Sequence, residues 1–129
     1  AAEEAIEQAV GQAAAFDATL HALYVVELQA TSPMQLTLDT VIDRLEAEGA
    51  DRTAEIAEAA ESAGVEAVTD VRHGVADETI VDYVRAHDID LVVMGTHGRR
   101  GVDRQLLGSV TERVVRTSPV PVLTVRQPS

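Results

Sequence analysis

The feature that most constrains the fold is an alternation of short apolar runs with longer helical stretches. Four runs have the length of one strand: residues 20–26, 65–71, 91–94 and 121–125. Four stretches carry apolar side chains at helical spacing: residues 1–15, 37–63, 77–87 and 109–117. Within the second stretch, Gly49 is expected to interrupt the helix and to kink or weaken it, and Gly64 is expected to end it.

Strands that alternate with helices predict a parallel sheet, because right-handed crossovers place helices on both faces. We therefore predict an α/β fold, a doubly wound parallel sheet forming a single domain over residues 1–129. The first helix has an apolar side that needs a sheet, although no strand precedes it. A further strand upstream of Ala1 is therefore expected, and a natural four-stranded domain is the alternative.

The charge balance limits the partners of this chain. It has 22 acidic residues against 10 basic ones, all of them Arg, which gives a net charge of −12. Such a surface repels itself and is screened by salt, which favours a halophilic protein over an ordinary acidic one encoded by GC-rich DNA. Nucleic acids and anionic membranes bind cationic patches, so neither is an expected partner. Cysteine, a signal peptide and long apolar runs are absent, so a cytoplasmic protein is predicted.

The most informative segment is LVVMGTHGRRGVDRQLLGS, which covers residues 91–109. A buried strand ends at Gly95, and Gly98 and Gly108 follow before Ser109 opens a helix. Glycine lets backbone N–H groups approach an anion closely, and successive N–H groups form an anion-binding nest. The start of a helix favours an anion in the same way, and Ser is a preferred capping residue there. The segment therefore predicts a phosphate site at the carboxyl end of a strand.

The same segment is the most basic part of an acidic chain, since it holds Arg99, Arg100 and Arg104. These side chains would give a positive field where a phosphate would lie. The structural alternative is a glycine-rich turn whose arginines pair with surface acids. The spacing fits neither a Walker loop, which needs Gly-Lys-Ser/Thr, nor a Rossmann glycine fingerprint.

The pattern G-x2-G-x9-G-S, followed by V-T-E and S-P-V-P-V-L-T-V, resembles the signature of the universal stress protein family. The opening AAEEAIEQAV also resembles the first helix of that family, so the resemblance covers nearly the whole chain. It implies a Rossmann-like, five-stranded parallel sheet of order 3-2-1-4-5, whose first, central strand is missing upstream of Ala1.

Members of the nucleotide-binding type hold ATP, so the resemblance implies an ATP site, with or without Mg²⁺. Carried over by motif, the glycines and Ser109 would face phosphates and ribose, Met94 would lie beside the nucleoside, and Val25 would meet the adenine through its backbone. The full predicted set is Val25, Met94, Gly95, His97, Gly98, Arg99, Arg100, Gly108, Ser109, Val110 and Thr111. The adenine-reading Asp of the family belongs to the missing strand, so the base preference stays unassigned.

Two histidines and one aspartate are further candidates for chemistry. His73 and His97 follow strands and would face one cleft as a general base or metal pair, or they are ordinary loop histidines. Asp103 would bind Mg²⁺ with a nucleotide, or it partly neutralises the positive charge of the neighbouring arginines. No strong catalytic motif is present, so at most slow ATP hydrolysis is expected. The family resemblance also implies a homodimer through the apolar last strand, from Pro121 to Val125.

Three functions remain open from the sequence. The first is a regulatory module of the stress response that binds ATP. The second is a homodimeric scaffold of the same fold without a nucleotide, against which the intact glycine set argues. The third is an enzyme of the adenine-nucleotide hydrolase class, which shares this fold. Such an enzyme is expected to have a serine- and glycine-rich loop after the first strand, and that region would lie upstream of Ala1, so this alternative stays open.

Overall fold

The computed structural model describes residues 3–27, 35–95 and 109–125. They form eight elements: α1 (Glu3–Phe16), β1 (Leu20–Val26), α2 (Gln35–Ser62), β2 (Ala67–His73), α3 (Ala76–Ala86), β3 (Val92–Gly95), α4 (Ser109–Thr117) and β4 (Val122–Val125). The predicted bounds of β1 and α4 are confirmed. Those of β2 are wrong by two residues at each end, because the pairing with β1 begins at Leu20 and Ala67.

The predicted interruption at Gly49 is wrong, because α2 continues through this position as one helix of 28 residues. The glycine is explained by a close neighbour. A Cβ added at Gly49 would lie 2.6 Å from Cδ1 of Tyr24, a distance that real side chains do not tolerate. Gly49 therefore allows α2 to pack closely on β1.

The predicted end of α2 at Gly64 is confirmed. The helix ends at Ser62, and Gly64 has φ +78°, a left-handed conformation that favours glycine. The N–H groups of Gly64 and Val65 donate to the carbonyls of Glu61 and Ala60, at 3.0 and 2.8 Å. This turn satisfies the last carbonyls of the helix and directs the chain into β2.

The strands form two parallel pairs, β1 with β2 and β3 with β4. Within the described residues, no backbone pairing joins β1 to β3. This arrangement is compatible with the predicted order, in which one strand lies between them, but the order itself stays a prediction. Helix α1 packs against β1 of one pair and against β3 and β4 of the other.

Helices cover both faces of the strands, which confirms the predicted doubly wound α/β class. Successive side chains of a strand point to opposite faces. Leu20 and Ala22 pack in a cluster with Ala13 of α1 and Ala60 of α2. His21, which lies between them, contacts Tyr83 of α3 instead. The sheet layer at β1 is therefore covered by α1 and α2 on one face and by α3 on the other.

Candidate functional site

One hydrogen bond joins the end of β3 to the start of α4. The hydroxyl of Thr111 donates to the carbonyl of Gly95 at 3.0 Å, across 16 positions of the sequence. Thr111, the donor, is only 5% exposed, whereas Gly95, the acceptor, is exposed. The bond brings together Gly95 and Thr111, two residues that the family resemblance implies to lie at one site.

The backbone at Gly95 is accessible. This residue is exposed, and an added Cβ would meet no atom of the described residues within 4 Å. Its φ lies outside the left-handed region, so the described structure gives no conformational reason for a glycine. Gly49, by contrast, is explained by the Tyr24 ring. A ligand that approaches the Gly95 backbone is the kind of neighbour that would require this residue to lack a side chain.

The first turn of α4 offers donors for an anion at this end of β3. Ser109 is its first residue and is exposed, and Val110 is half-buried. The first four N–H groups of a helix have no partner within it, and they carry a partial positive charge. Val114, which is 0% exposed, fixes the helix in the core. The N–H groups are therefore presented by a firmly packed element.

The other predicted site residues have varied positions. Met94 precedes Gly95 in β3 and is half-buried. Val25 is the penultimate residue of β1, in the other strand pair, and it lies opposite Arg72 of β2. The remaining predicted residues lie outside the described residues: His97, Gly98, Arg99, Arg100 and Gly108. The magnesium prediction for Asp103 also falls outside them.

Glu27 follows β1 directly and was not predicted to have a role. Its Oε2 accepts the N–H of Ala76 at 3.0 Å, so it caps α3 in place of Val75, whose side chain cannot. Beside it, the N–H of Gly74 donates to the carbonyl of Val26 at 3.1 Å. No local pattern predicts this contact, because Glu27 and Ala76 are 49 positions apart. Glu27 therefore fixes the start of α3 at the carboxyl ends of β1 and β2.

His73, the other predicted histidine of a possible pair, contacts a carboxylate. Its Nε2 lies 2.7 Å from Oε2 of Glu46 in α2, and both side chains are nearly half exposed. This contact gives His73 a structural role, as a partner of a carboxylate on the surface of α2. In the part of the chain that the structure describes, no group of three or more His, Asp or Glu side chains is arranged to hold a metal.

A cluster of rings lies beneath α3 and was not predicted. His21 Nδ1 and the Tyr83 hydroxyl share a hydrogen bond of 2.7 Å, and the rings of Tyr83 and His87 stack at 3.9 Å between centroids. Arg72 lies over Tyr83, with 4.8 Å from the guanidinium carbon to the ring centroid, and it pairs with Asp70 at 2.8 Å. Burial, and secondarily the nearby His87, lower the pKa of His21 below its usual value.

This lowered pKa gives a prediction for the pH dependence of stability. The folded state binds the His21 proton less well than the unfolded state does. The contribution of His21 to folding stability is therefore complete above about pH 6.5 and is lost as the pH falls further. We expect the parent protein to lose more stability than His21→Phe between neutral and mildly acidic pH. Urea unfolding of both proteins across this range measures the difference. Identical pH profiles for the two proteins would contradict the prediction.

Together, the fold and the site define a class of protein: a doubly wound α/β domain in which a strand ending in glycine is tied to the start of a helix. The comparison with known families then identifies the chain. It belongs to the universal stress protein family, whose sequence model matches residues 1–126.

Individual relatives agree with this assignment. The chain is 36% identical over 127 residues to universal stress protein MJ0531 of Methanocaldococcus jannaschii, covering 97% of this chain and 75% of that protein. Its fold is similar to that of universal stress protein UspA from Lactobacillus plantarum, with a TM-score of 0.85, 30% identity and coverage of 97% and 89% of the two chains. A universal stress protein solved in complex with cAMP is 25% identical, with a TM-score of 0.70 and coverage of 94% and 86%.

Among the described residues, no helix is both long enough and apolar enough to cross a bilayer.

Proposed function

We propose that this chain is a regulatory universal stress protein that binds an adenine nucleotide, ATP with or without Mg²⁺, at the carboxyl end of β3. The observation that carries the proposal is the hydrogen bond from Thr111 to Gly95, because it places the start of α4 beside an exposed glycine backbone. The first N–H groups of a helix have no partner within the helix and are suited to a phosphate.

The predicted residues divide into two parts of the site. The backbone of Gly95 and the first N–H groups of α4 would hold phosphate, together with the glycines and arginines of residues 96–108. Met94 and Val25 would lie beside the nucleoside. The cAMP complex of the 25% identical family member supports an adenine nucleotide as the ligand class. In that scheme the nucleotide changes the affinity of the protein for a partner, in the manner of a switch.

The test is a calorimetric titration of the folded protein with ATP, and in parallel with GTP, in the presence of Mg²⁺. Molar KCl is used because it screens the self-repulsion of a chain with a net charge of −12. Saturable binding of ATP that is tighter than that of GTP is the expected result. A folded protein that binds neither nucleotide would contradict the proposal and favour the scaffold without a nucleotide.

We also propose a homodimer that forms through β4. Val122, Leu123 and Val125 are only half-buried in the chain alone, and β4 pairs with β3 but with no other described strand. An apolar strand with a free edge is suited to pairing with a second copy. Sedimentation of the parent and of Leu123→Lys tests this, with the expected dimer lost in the variant. A parent protein that sediments as a monomer would contradict it.

The acidic composition underlies the last part of the proposal, a cytoplasmic protein adapted to high salt. In this interpretation, the net charge of −12 is tolerated because concentrated cations screen it. Thermal unfolding at increasing KCl concentration tests the salt adaptation. A melting temperature that does not rise with salt would contradict it.

A further inference from the structure

The hydroxyl of Thr111 is already committed to a partner within the protein. A threonine hydroxyl has one proton, and this one is donated to the Gly95 carbonyl at 3.0 Å. The remaining lone pairs of the oxygen can only accept, so they would not attract a phosphate oxygen. In this structure the side chain of Thr111 is therefore not a phosphate donor.

The position of this hydrogen bond gives it a different use. It joins the last residue of β3 to the third residue of α4, the two ends of the segment in which the glycine pattern lies. The favourable field of a helix start acts on an anion only within about the first turn. An anion held by both the Gly95 backbone and the α4 N–H groups therefore requires a fixed distance between these two elements.

Other contacts of α4 restrain it less specifically. Val114 anchors the helix in the core, but a buried apolar contact does not select one position of the first turn relative to Gly95. Arg113 approaches Asp77 of α3 at 3.8 Å, and the Asp77 side chain is only 15% exposed, but 3.8 Å is too long for a hydrogen bond and the Arg113 side chain is 59% exposed, so this ion pair does not fix a direction. The hydrogen bond of Thr111 is directional, and its donor residue is only 5% exposed.

We propose that Thr111 is a positioning residue, which holds the start of α4 against the Gly95 carbonyl so that both elements bind the same phosphate. The inference rests on the proposed function, because it assigns a role within the proposed nucleotide site. It differs from a direct contact in one respect: the hydrogen bond exists before any nucleotide binds, so its loss must change the free protein as well.

The test compares three variants of the full chain. Thr111→Val keeps the branched shape and removes the donor, and Thr111→Ser keeps the donor. Thr117→Val is the matched control, because Thr117 lies in the same helix and its hydroxyl donates to the Arg113 carbonyl at 2.8 Å, away from β3. Each is titrated with ATP and with adenosine, and amide exchange of α4 is measured without nucleotide.

The expected result is a loss of about tenfold in ATP affinity for Thr111→Val, equivalent to about 1.4 kcal/mol. Adenosine affinity stays unchanged, Thr111→Ser restores ATP binding, and Thr117→Val behaves as the parent. The amides of Arg113 and Val114 exchange faster in nucleotide-free Thr111→Val than in the parent.

Two results would overturn the inference while the parent still binds ATP. One is a Thr111→Val protein with parental ATP affinity. The other is weakened binding with unchanged amide exchange in the free protein, which would make the hydroxyl a direct ligand. A parent protein that binds no nucleotide would instead overturn the proposed function, and this inference with it.

Discussion

Gly95→Val is expected to weaken ATP binding about 100-fold, a cost of about 2.7 kcal/mol, while the protein stays folded. The described structure leaves the space above Gly95 open, so a valine side chain would occupy the place that a phosphate needs. Folding is expected to survive, because φ at Gly95 is not left-handed and β-branched residues suit strands. Calorimetric titration with ATP, together with urea unfolding of the same protein, measures both effects.

A graded series makes this prediction sharper. Gly95→Ala adds only the Cβ and is expected to weaken ATP binding less than Gly95→Val does. Thr124→Val is the control, because Thr124 is exposed on the neighbouring strand opposite Met94, and a valine there leaves the Gly95 backbone accessible. If Gly95→Val bound ATP within about threefold of the parent, the carboxyl end of β3 would not be the site.

Gly49→Leu is expected to destabilise the fold by about 3 kcal/mol, although leucine is the better helix former. The reason is steric. A Cβ at this position would lie 2.6 Å from Cδ1 and 2.9 Å from Cγ of Tyr24, so α2 and β1 would have to separate or the ring would have to move. The measurement is the free energy of unfolding from urea titration, with circular dichroism as the probe.

Gly11 provides the matched control, because it is also a glycine inside a helix. A Cβ added there would meet no described atom within 4 Å, so Gly11→Ala is expected to stabilise the protein by about 0.5–1 kcal/mol through helix propensity alone. Gly49→Ala should become less harmful when Tyr24 is replaced by Leu, because the obstructing ring is then gone. Equal effects of Gly11→Ala and Gly49→Ala would show that the contact with Tyr24 carries no strain.

The part of the fold that depends on local pattern was predictable from the sequence. The apolar run of β1 and the serine that opens α4 gave both elements their correct bounds. The bounds of β2 were predicted two residues early, because Val65 is apolar and buried at 5% exposure yet lies before the strand. Val65 is buried because it packs in the core cluster under α1 and α2. A sequence pattern does not distinguish a residue buried in this way from one in a strand that pairs with β1.

The contacts that fix the site depend on partners far apart in the sequence. Gly95 and Ser109 were predicted from the glycine spacing, because glycine has no Cβ and leaves the backbone N–H groups accessible to a ligand. The hydrogen bond from Thr111 and the capping of α3 by Glu27 were not, because threonine and glutamate suit many surface positions and nothing local marks their partners. The Tyr24 ring against Gly49 was missed for the same reason.

The two strand pairs described above have a mechanical consequence. Within the described residues they share no backbone pairing, whereas α1 packs on β1 of one pair and on β3 and β4 of the other. A nucleotide with its base near Val25 and its phosphates near Gly95 would contact both strand pairs. Its binding energy would then resist their separation, so a loaded protein should withstand pulling across the two pairs better than an empty one.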